Sequence, residues 1–211
     1  MSRPHGMNSI QKKKWAALSS RKFVRTIFFH EPTLQSLGMA HSARKLLVNG
    51  GIGDFIGKSA PTYPSLVKEF LATIVYRPTD ILFRLQGREY EMSKEQLAHI
   101  FGVTAAPTIG WIDVSKGLIE GPVQFWIDAT RVPFDAHKGQ YNHSFTHPSL
   151  RLCHKVLGGS FFAQAEVNKV PLKDLGYLWC LTPESPVVPN WVEMFLYQCQ
   201  DIINTRSTAT L

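Results

Sequence analysis

Residues Thr62–Val103 have the sequence TYPSLVKEFLATIVYRPTDILFRLQGREYEMSKEQLAHIFGV, which predicts a helix, a β-hairpin and a second helix in succession. Apolar side chains recur at helical spacing at the start of the stretch, and Lys68 and Glu69 fall outside this apolar stripe. Pro78 ends the first helix because it forces the residue before it into an extended conformation.

The second half of the stretch carries its own boundary signals. Apolar and polar residues alternate on both sides of Gln86-Gly87, which predicts a tight turn between two strands near residues 80–92. Ser93 and Gln96 form a capping-box pattern, and Gly102 is typical of a helix end. Five aromatic residues of this stretch are predicted to face the core, and so is Trp179 further along the chain. The five are Tyr63, Phe70, Phe83, Tyr90 and Phe101.

The composition indicates a folded intracellular protein. The chain has 211 residues, of which 44% are hydrophobic and 11% aromatic, enough to form a core. No apolar run approaches the ~20 residues that span a bilayer, so no membrane association is expected. The start, MSRPHGMNSIQKKKW, lacks the apolar centre of a secretory signal. Three scattered cysteines argue against a disulfide framework and favour a reducing compartment, the nucleus or cytoplasm.

Positive charge is concentrated near the N-terminus. Residues 1–50 hold nine Lys/Arg against one acid, Glu31, whereas the other 161 residues hold 14 bases and 15 acids. A dense basic cluster can contact phosphate non-specifically or act as a nuclear address. A solvated basic helix face is the alternative explanation. The candidate nucleic-acid-binding residues are Lys12, Lys13, Lys14, Arg21, Lys22 and Arg25.

The rest of the chain is predicted to be largely helical. Residues 1–9 are expected to be disordered and residues 10–30 to form a basic amphipathic helix that Pro32 breaks. A further helix is expected over residues 34–48 and a short one over Val123–Ala129, within an aromatic loop region packed through Trp111 and Trp126. The C-terminal third is helical, with Thr146 capping one helix and three prolines marking a linker between Thr182 and Pro189.

The resulting fold class is mainly α, or α+β with low strand content, with one small hairpin near residues 80–92. The expected organisation is a basic, partly disordered segment over residues 1–20, a single helical domain over 21–205 and a tail over 206–211.

Three motifs contain residue types that can carry chemistry. The glycine-rich GGIGDFIG resembles a dinucleotide fingerprint but follows a helix, so a helix cap and turn is favoured. His143, His147 and Cys153 have metal-like spacing without a second ligand pair, and His154 fits a hydrogen-bonded core position. Cys180 and Cys199 fit small buried hydrophobes, although a Cys–His nucleophile pair stays possible on sequence alone. No catalytic residue, metal or cofactor is assigned.

Four blocks of the chain resemble a plant family, the first-open-reading-frame proteins of Athila-type retrotransposons and the related plant transposon protein domain. They are PTLQSLGMAHSARKLLVNGGIGDFIG (Pro32–Gly57), APTYPSLVKEFLATI (Ala60–Ile74), the hairpin and helix of Ile81–Val103, and RLCHKVLGGSFFAQAEVNKVPLKDLGYLWCL (Arg151–Leu181). The blocks stand in the family's order and at similar spacing, and the likeness spans roughly residues 20–205.

The resemblance implies a non-enzymatic, element-encoded structural or interaction protein of plant origin. Expected partners are nucleic acid, bound non-specifically, and either a second copy of the chain or other element-encoded proteins. The alternative is a protein-interaction module without nucleic-acid binding, using the Trp111/Trp126 region and the last helix as contact surface. An enzyme is the third hypothesis and would need polar side chains converging in a pocket.

Overall fold

The computed structural model describes residues 6–21, 23, 27–56, 61–103, 120–135, 138, 140–162, 164 and 166–204. This described part is mainly α-helical, as predicted, with two small antiparallel sheets. The helices are α1 (Ser9–Ser19), α2 (Glu31–Ser36), α3 (Ala40–Asn49), α4 (Gly53–Ile56), α5 (Pro64–Thr73), α6 (Lys94–Phe101), α7 (Glu120–Thr130), α8 (Pro148–Gly159), α9 (Leu172–Trp179) and α10 (Trp191–Asn204).

The predicted hairpin is confirmed as the centre of a three-stranded sheet. Its strands are β1 (Val75–Tyr76), β2 (Asp80–Leu85) and β3 (Arg88–Ser93), in the order β1-β2-β3. Gln86 and Gly87 both have positive φ, 53° and 77°, as a type I′ turn requires. Such a turn matches the twist of the strands it joins, which explains why a two-residue connection suffices here.

The sequence pattern was wrong about the polar side of α5. Lys68 and Glu69 were placed outside the apolar stripe, yet both are buried. The β2–β3 turn folds back over this side of the helix, and the Glu69 carboxylate accepts hydrogen bonds from the backbone N–H of Gln86 at 2.8 Å and of Gly87 at 2.9 Å. A buried carboxylate is stable there because two backbone donors compensate its lost hydration.

The core has two main parts. The larger one lies between α3, the sheet and α6–α10, around fully buried Trp126, Leu157 and Trp191. The smaller one joins α1 to α5 and α10 through Met7, Trp15, Leu18, Leu71, Ala72 and Cys199.

The predicted disorder over residues 1–9 is wrong for the residues that the structure describes. Met7 is only 5% exposed and Asn8 caps α1. Residues 1–5, like the predicted tail over 206–211, lie outside the described residues. The division into segment, domain and tail stays a prediction.

Several helix boundaries differ from the prediction. The helix expected over residues 10–30 ends at Ser19, and Pro32 lies in the first turn of α2, where its missing N–H costs nothing. Gly38, with φ of 66°, separates α2 from α3 where one helix was predicted. The cap of α8 is His147 and not the predicted Thr146: His147 Nδ1 accepts the backbone N–H of Ser149 at 3.2 Å.

Other local signals are confirmed. Ser93 and Gln96 form a reciprocal capping box at the start of α6, and Gly102 ends that helix with φ of 68°. The helix predicted over Val123–Ala129 lies inside α7.

Two predicted core positions are wrong: Tyr63 is 59% exposed and Tyr90 is 43% exposed. Each lies at an outer surface, Tyr63 as the residue before α5 and Tyr90 on the edge strand β3.

A second sheet was not predicted. It pairs β4 (Gln140–Tyr141) with β5 (Lys169–Val170), and two-residue strands are too short to show an alternating pattern. None of the helices in the described ranges combines the length and the apolar character needed to cross a bilayer.

Glu69→Ala tests the bond between α5 and the hairpin. The substitution removes the acceptor of two part-buried N–H groups of the turn, so we expect the free energy of unfolding to fall by about 1–3 kcal/mol in urea denaturation. Glu89→Ala removes an exposed carboxylate from the same hairpin and should change it by less than about 0.5 kcal/mol. Equal effects of the two substitutions would contradict the role given to Glu69.

Candidate functional site

Helix α1, which carries three of the candidate nucleic-acid contacts, is held firmly on the body. Gln11 N–H donates to Asn8 Oδ1 at 2.9 Å and Asn8 N–H donates to Gln11 Oε1 at 3.0 Å, a capping box that begins the helix. Trp15 and Leu18 are buried against α5 and α10. These contacts fix which side of α1 faces the solvent.

The three consecutive lysines of α1 point in different directions. Successive side chains of an α-helix are about 100° apart, so Lys13 lies opposite the buried Trp15, with Lys12 and Lys14 on either side. Lys12 and Lys13 are exposed and Lys14 is half-buried. Their charges therefore surround the solvent side of α1 instead of forming one stripe.

Arg21 carries a positive charge and also makes a hydrogen bond to α10. Its guanidinium Nη1 donates to the carbonyl oxygen of Ile202, in the last turn of α10. A cation at a helix C-terminus is favourable because the carbonyl groups there carry partial negative charge. Lys22 and Arg25 lie outside the described residues.

Sequence reasoning missed one further cation beside α1. The ammonium of Lys68 lies 3.4 Å from the carbonyl oxygen of Ser19, at the end of α1, and 5.6 Å from the centre of the Phe23 ring. Because Lys68 follows the polar side of α5 in sequence, only the packing of α1 on α5 reveals this position.

A cleft of about 670 Å³ lies between α3 and α7. Each helix lines it with residues spaced three or four apart, which share one helix face. Those of α3 are Ser42, Lys45, Leu46 and Asn49, and those of α7 are Gly121, Gln124, Phe125, Asp128 and Ala129.

The two walls of the cleft run antiparallel. At one end Ser42 Oγ lies 2.6 Å from Ser149 Oγ of α8, and Thr146 N–H donates to Ala129 O at 2.9 Å. The start of α3 and the end of α7 therefore meet at the beginning of α8, where His147 and Leu150 line the cleft.

The opposite end of the cleft is formed by the end of α3, the start of α7 and the residues after α9. A Cβ placed on Gly121 would lie 2.7 Å from the Trp179 ring, and one on Gly50 would lie 2.2 Å from a methyl group of Leu181. A side chain at either glycine would force the facing Trp179 or Leu181 side chain to move, so the two glycines allow close packing at this end of the cleft.

His154 is fully buried and both of its ring nitrogens have partners. Asn142 Nδ2 donates to Arg151 O at 2.9 Å and also lies 2.9 Å from His154 Nδ1, so Nδ1 is an acceptor. The other nitrogen, Nε2, lies 3.3 Å from Asp174 Oδ2, which also accepts from Gln164 Nε2. The prediction of a hydrogen-bonded core histidine is confirmed, and neither ring nitrogen is available to a substrate.

The three cysteines lie inside the protein. Burial raises the pKa of the Cys153 and Cys199 thiols to about 12 and that of Cys180 to about 11. Thiols with such pKa values are protonated at neutral pH and are poor nucleophiles. This confirms the prediction that Cys180 and Cys199 are small buried side chains.

The hypothetical zinc ligands do not converge. The exposed His143 stacks on Tyr141 with ring centres 5.6 Å apart, His147 caps α8, and Cys153 is buried near Ala43. Within the described ranges, no group of three or more His, Cys, Asp or Glu side chains could hold a metal ion.

The first glycines of GGIGDFIG end a helix. Ile52 N–H donates to Leu47 O and Gly51 N–H donates to Val48 O, both at 3.0 Å, and Gly51 has φ of 72°. This is the Schellman arrangement of a helix C-terminus, as predicted, whereas a dinucleotide fingerprint begins a helix after a strand. Gly57 lies outside the described residues.

Comparison with protein-family models, with curated proteins and with solved structures gives no match. The resemblance to retrotransposon proteins therefore stays a prediction from the sequence motifs.

The buried thiols predict a loss of stability at alkaline pH. An ordinary thiol has a pKa of about 8.5, so above that pH the unfolded chain loses a proton from Cys153 that the folded protein keeps until pH approaches about 12. The contribution is complete below the unfolded pKa and decreases above it, by up to about 1.4 kcal/mol per pH unit for each thiol.

Urea unfolding of the wild type and Cys153→Ala between pH 8 and 10.5 measures this effect. We expect the free energy of unfolding of Cys153→Ala to fall less steeply with pH than that of the wild type. Parallel pH profiles would show that the Cys153 thiol titrates normally in the folded protein.

Proposed function

We propose that this chain is a non-enzymatic interaction protein derived from a plant retrotransposon, which contacts nucleic acid non-specifically through its basic N-terminal segment. The observation that supports this proposal most directly is that Lys12 and Lys13 are exposed on a helix that Trp15 and Leu18 anchor to the rest of the protein. An anchored helix presents its charges in fixed positions, which reduces the entropy cost of binding phosphate.

The surrounding charge balance supports contact with a polyanion. Residues 1–50 contain nine Lys/Arg, and their one acid, Glu31, lies 2.8 Å from Arg44 in an exposed ion pair. The remaining positive charge of the segment has no neighbouring acid in sequence to balance it. Such an excess attracts nucleic acid over several ångströms and becomes weaker as salt screens it.

The non-enzymatic part of the proposal rests on how the reactive side chains are used. His154 and Asp174 are fully buried and bonded to each other, and the three thiols are protonated at neutral pH. Further proposed partners are a second copy of the chain or other element-encoded proteins, in the nucleus or cytoplasm.

The protein-interaction alternative needs a different surface from the one predicted. Trp126, on α7, is fully buried with its ring centre 5.2 Å from that of Phe145, and Trp111 lies outside the described residues. The last helix buries most of its apolar residues in the core. Among the residues that the structure describes, the cleft between α3 and α7 is the feature that favours this alternative most.

Neutralising α1 tests the nucleic-acid contact. We expect Lys12→Gln/Lys13→Gln/Lys14→Gln to weaken binding to a duplex of arbitrary sequence in fluorescence anisotropy at low salt. Each phosphate contact that is lost should reduce the slope of log K against log salt concentration by about 0.9.

The matched control is Lys138→Gln/Lys155→Gln/Lys169→Gln, which removes the same charge from exposed positions elsewhere. It should leave the salt slope nearly unchanged. Wild-type protein that does not bind duplex or single-stranded nucleic acid at low salt, or two triple variants with equal losses, would overturn the proposed contact.

A further inference from the structure

We propose that the cleft between α3 and α7 binds an amphipathic helical segment, about two turns long, of a partner protein, and that the segment carries a basic side chain near Glu184. This site shares no lining residue with α1, so the proposal goes beyond nucleic-acid contact and does not depend on it.

The shape of the cleft fits a short helix. Its walls are one face each of two antiparallel helices, from Ser42 to Asn49 on α3 and from Gly121 to Ala129 on α7. At 1.5 Å per residue these faces are about 10–12 Å long, which is the length of two helical turns. A volume of about 670 Å³ accommodates several side chains of such a segment.

The lining of the cleft is apolar at its base and polar at its rim. Leu46, Phe125, Ala129, Leu150 and Trp179 supply the apolar surface. Leu150 and Trp179 are mostly buried, whereas the rim residues Lys45, Asp128 and Glu184 are exposed. This arrangement is typical of grooves that bind the apolar face of an amphipathic helix, with anchors at positions i, i+3 or i+4, and i+7.

Charge selects the orientation of the segment. Three helix ends lie at the Glu184 end of the cleft: the C-termini of α3 and α9, which carry partial negative charge, and the N-terminus of α7, which carries partial positive charge. The exposed Glu184 carboxylate adds a full negative charge to the two negative helix ends. Among the lining residues that the structure describes, Lys45 is the only Lys or Arg, and it is on the wall of α3. A Lys or Arg of the partner is therefore favoured beside Glu184, whereas an acidic residue there would be repelled.

Peptide display on the full-length chain identifies the preferred occupant. A library of random 16-residue peptides is selected against immobilised wild-type protein, and enriched peptides are synthesised with a fluorophore for anisotropy titration. We expect enriched peptides to share apolar residues at helical spacing together with a Lys or Arg. A selection that enriches no common pattern, or enriches acidic peptides, would overturn the proposal.

Three variants locate the binding site. Ala129→Trp fills the cleft and should abolish binding, and Glu184→Lys reverses the rim charge and should weaken it about fivefold or more. Glu89→Lys makes the same charge change on the exposed edge strand β3 and should bind like the wild type. Circular dichroism shows whether each variant is folded. If Ala129→Trp does not fold, Glu184→Lys, which is at an exposed position, decides the result.

Equal peptide affinity of wild type, Ala129→Trp and Glu184→Lys would place binding elsewhere and contradict the proposal. The triple α1 variant Lys12→Gln/Lys13→Gln/Lys14→Gln should bind the peptide with wild-type affinity. Loss of peptide binding in that variant would show that the N-terminal segment, and not the cleft, is responsible.

Discussion

The indole N–H of Trp191 donates to the carbonyl oxygen of Gly50 at 2.6 Å, a buried bond between two residues that lie 141 positions apart in the sequence. It joins the first residue of α10 to the end of α3 inside the core, where Trp191 also packs against Phe161 and Tyr177. A buried donor without its acceptor would cost about 1–3 kcal/mol, so the bond fixes the relative position of the two helices. The end of α3 in turn forms one end of the cleft.

Sequence patterns predicted the local features correctly because local geometry requires particular residues. The turn at Gln86-Gly87, the capping box of Ser93 and the left-handed Gly102 each depend on neighbours within a few positions. The burial of Glu69 could not be predicted in this way. It depends on the hairpin folding back over α5, and a helical pattern shows only that the residue lies on the polar side.

The candidate functional sites also depend on tertiary contacts that sequence patterns do not reveal. Composition identified the basic segment, but the anchoring of α1 by Trp15 and the contact of Arg21 with Ile202 require the tertiary structure. The cleft could not be predicted because α3 and α7 are far apart in sequence and are brought side by side by α8 and the residues after α9. Glycines such as Gly121 are a local sequence signal of close packing, but a glycine does not indicate which residue packs against it.

The central claim is that the chain acts through its surfaces, with nucleic acid contacted at α1. Hydrogen–deuterium exchange with and without a duplex at low salt tests it most directly, because it maps the contact along the whole chain without any substitution. The account predicts slower exchange in Ser9–Ser19 on adding the duplex, lost again at high salt, with α3 and α7 unchanged. Protection confined to the walls of the cleft, or no protection at low salt, would contradict it.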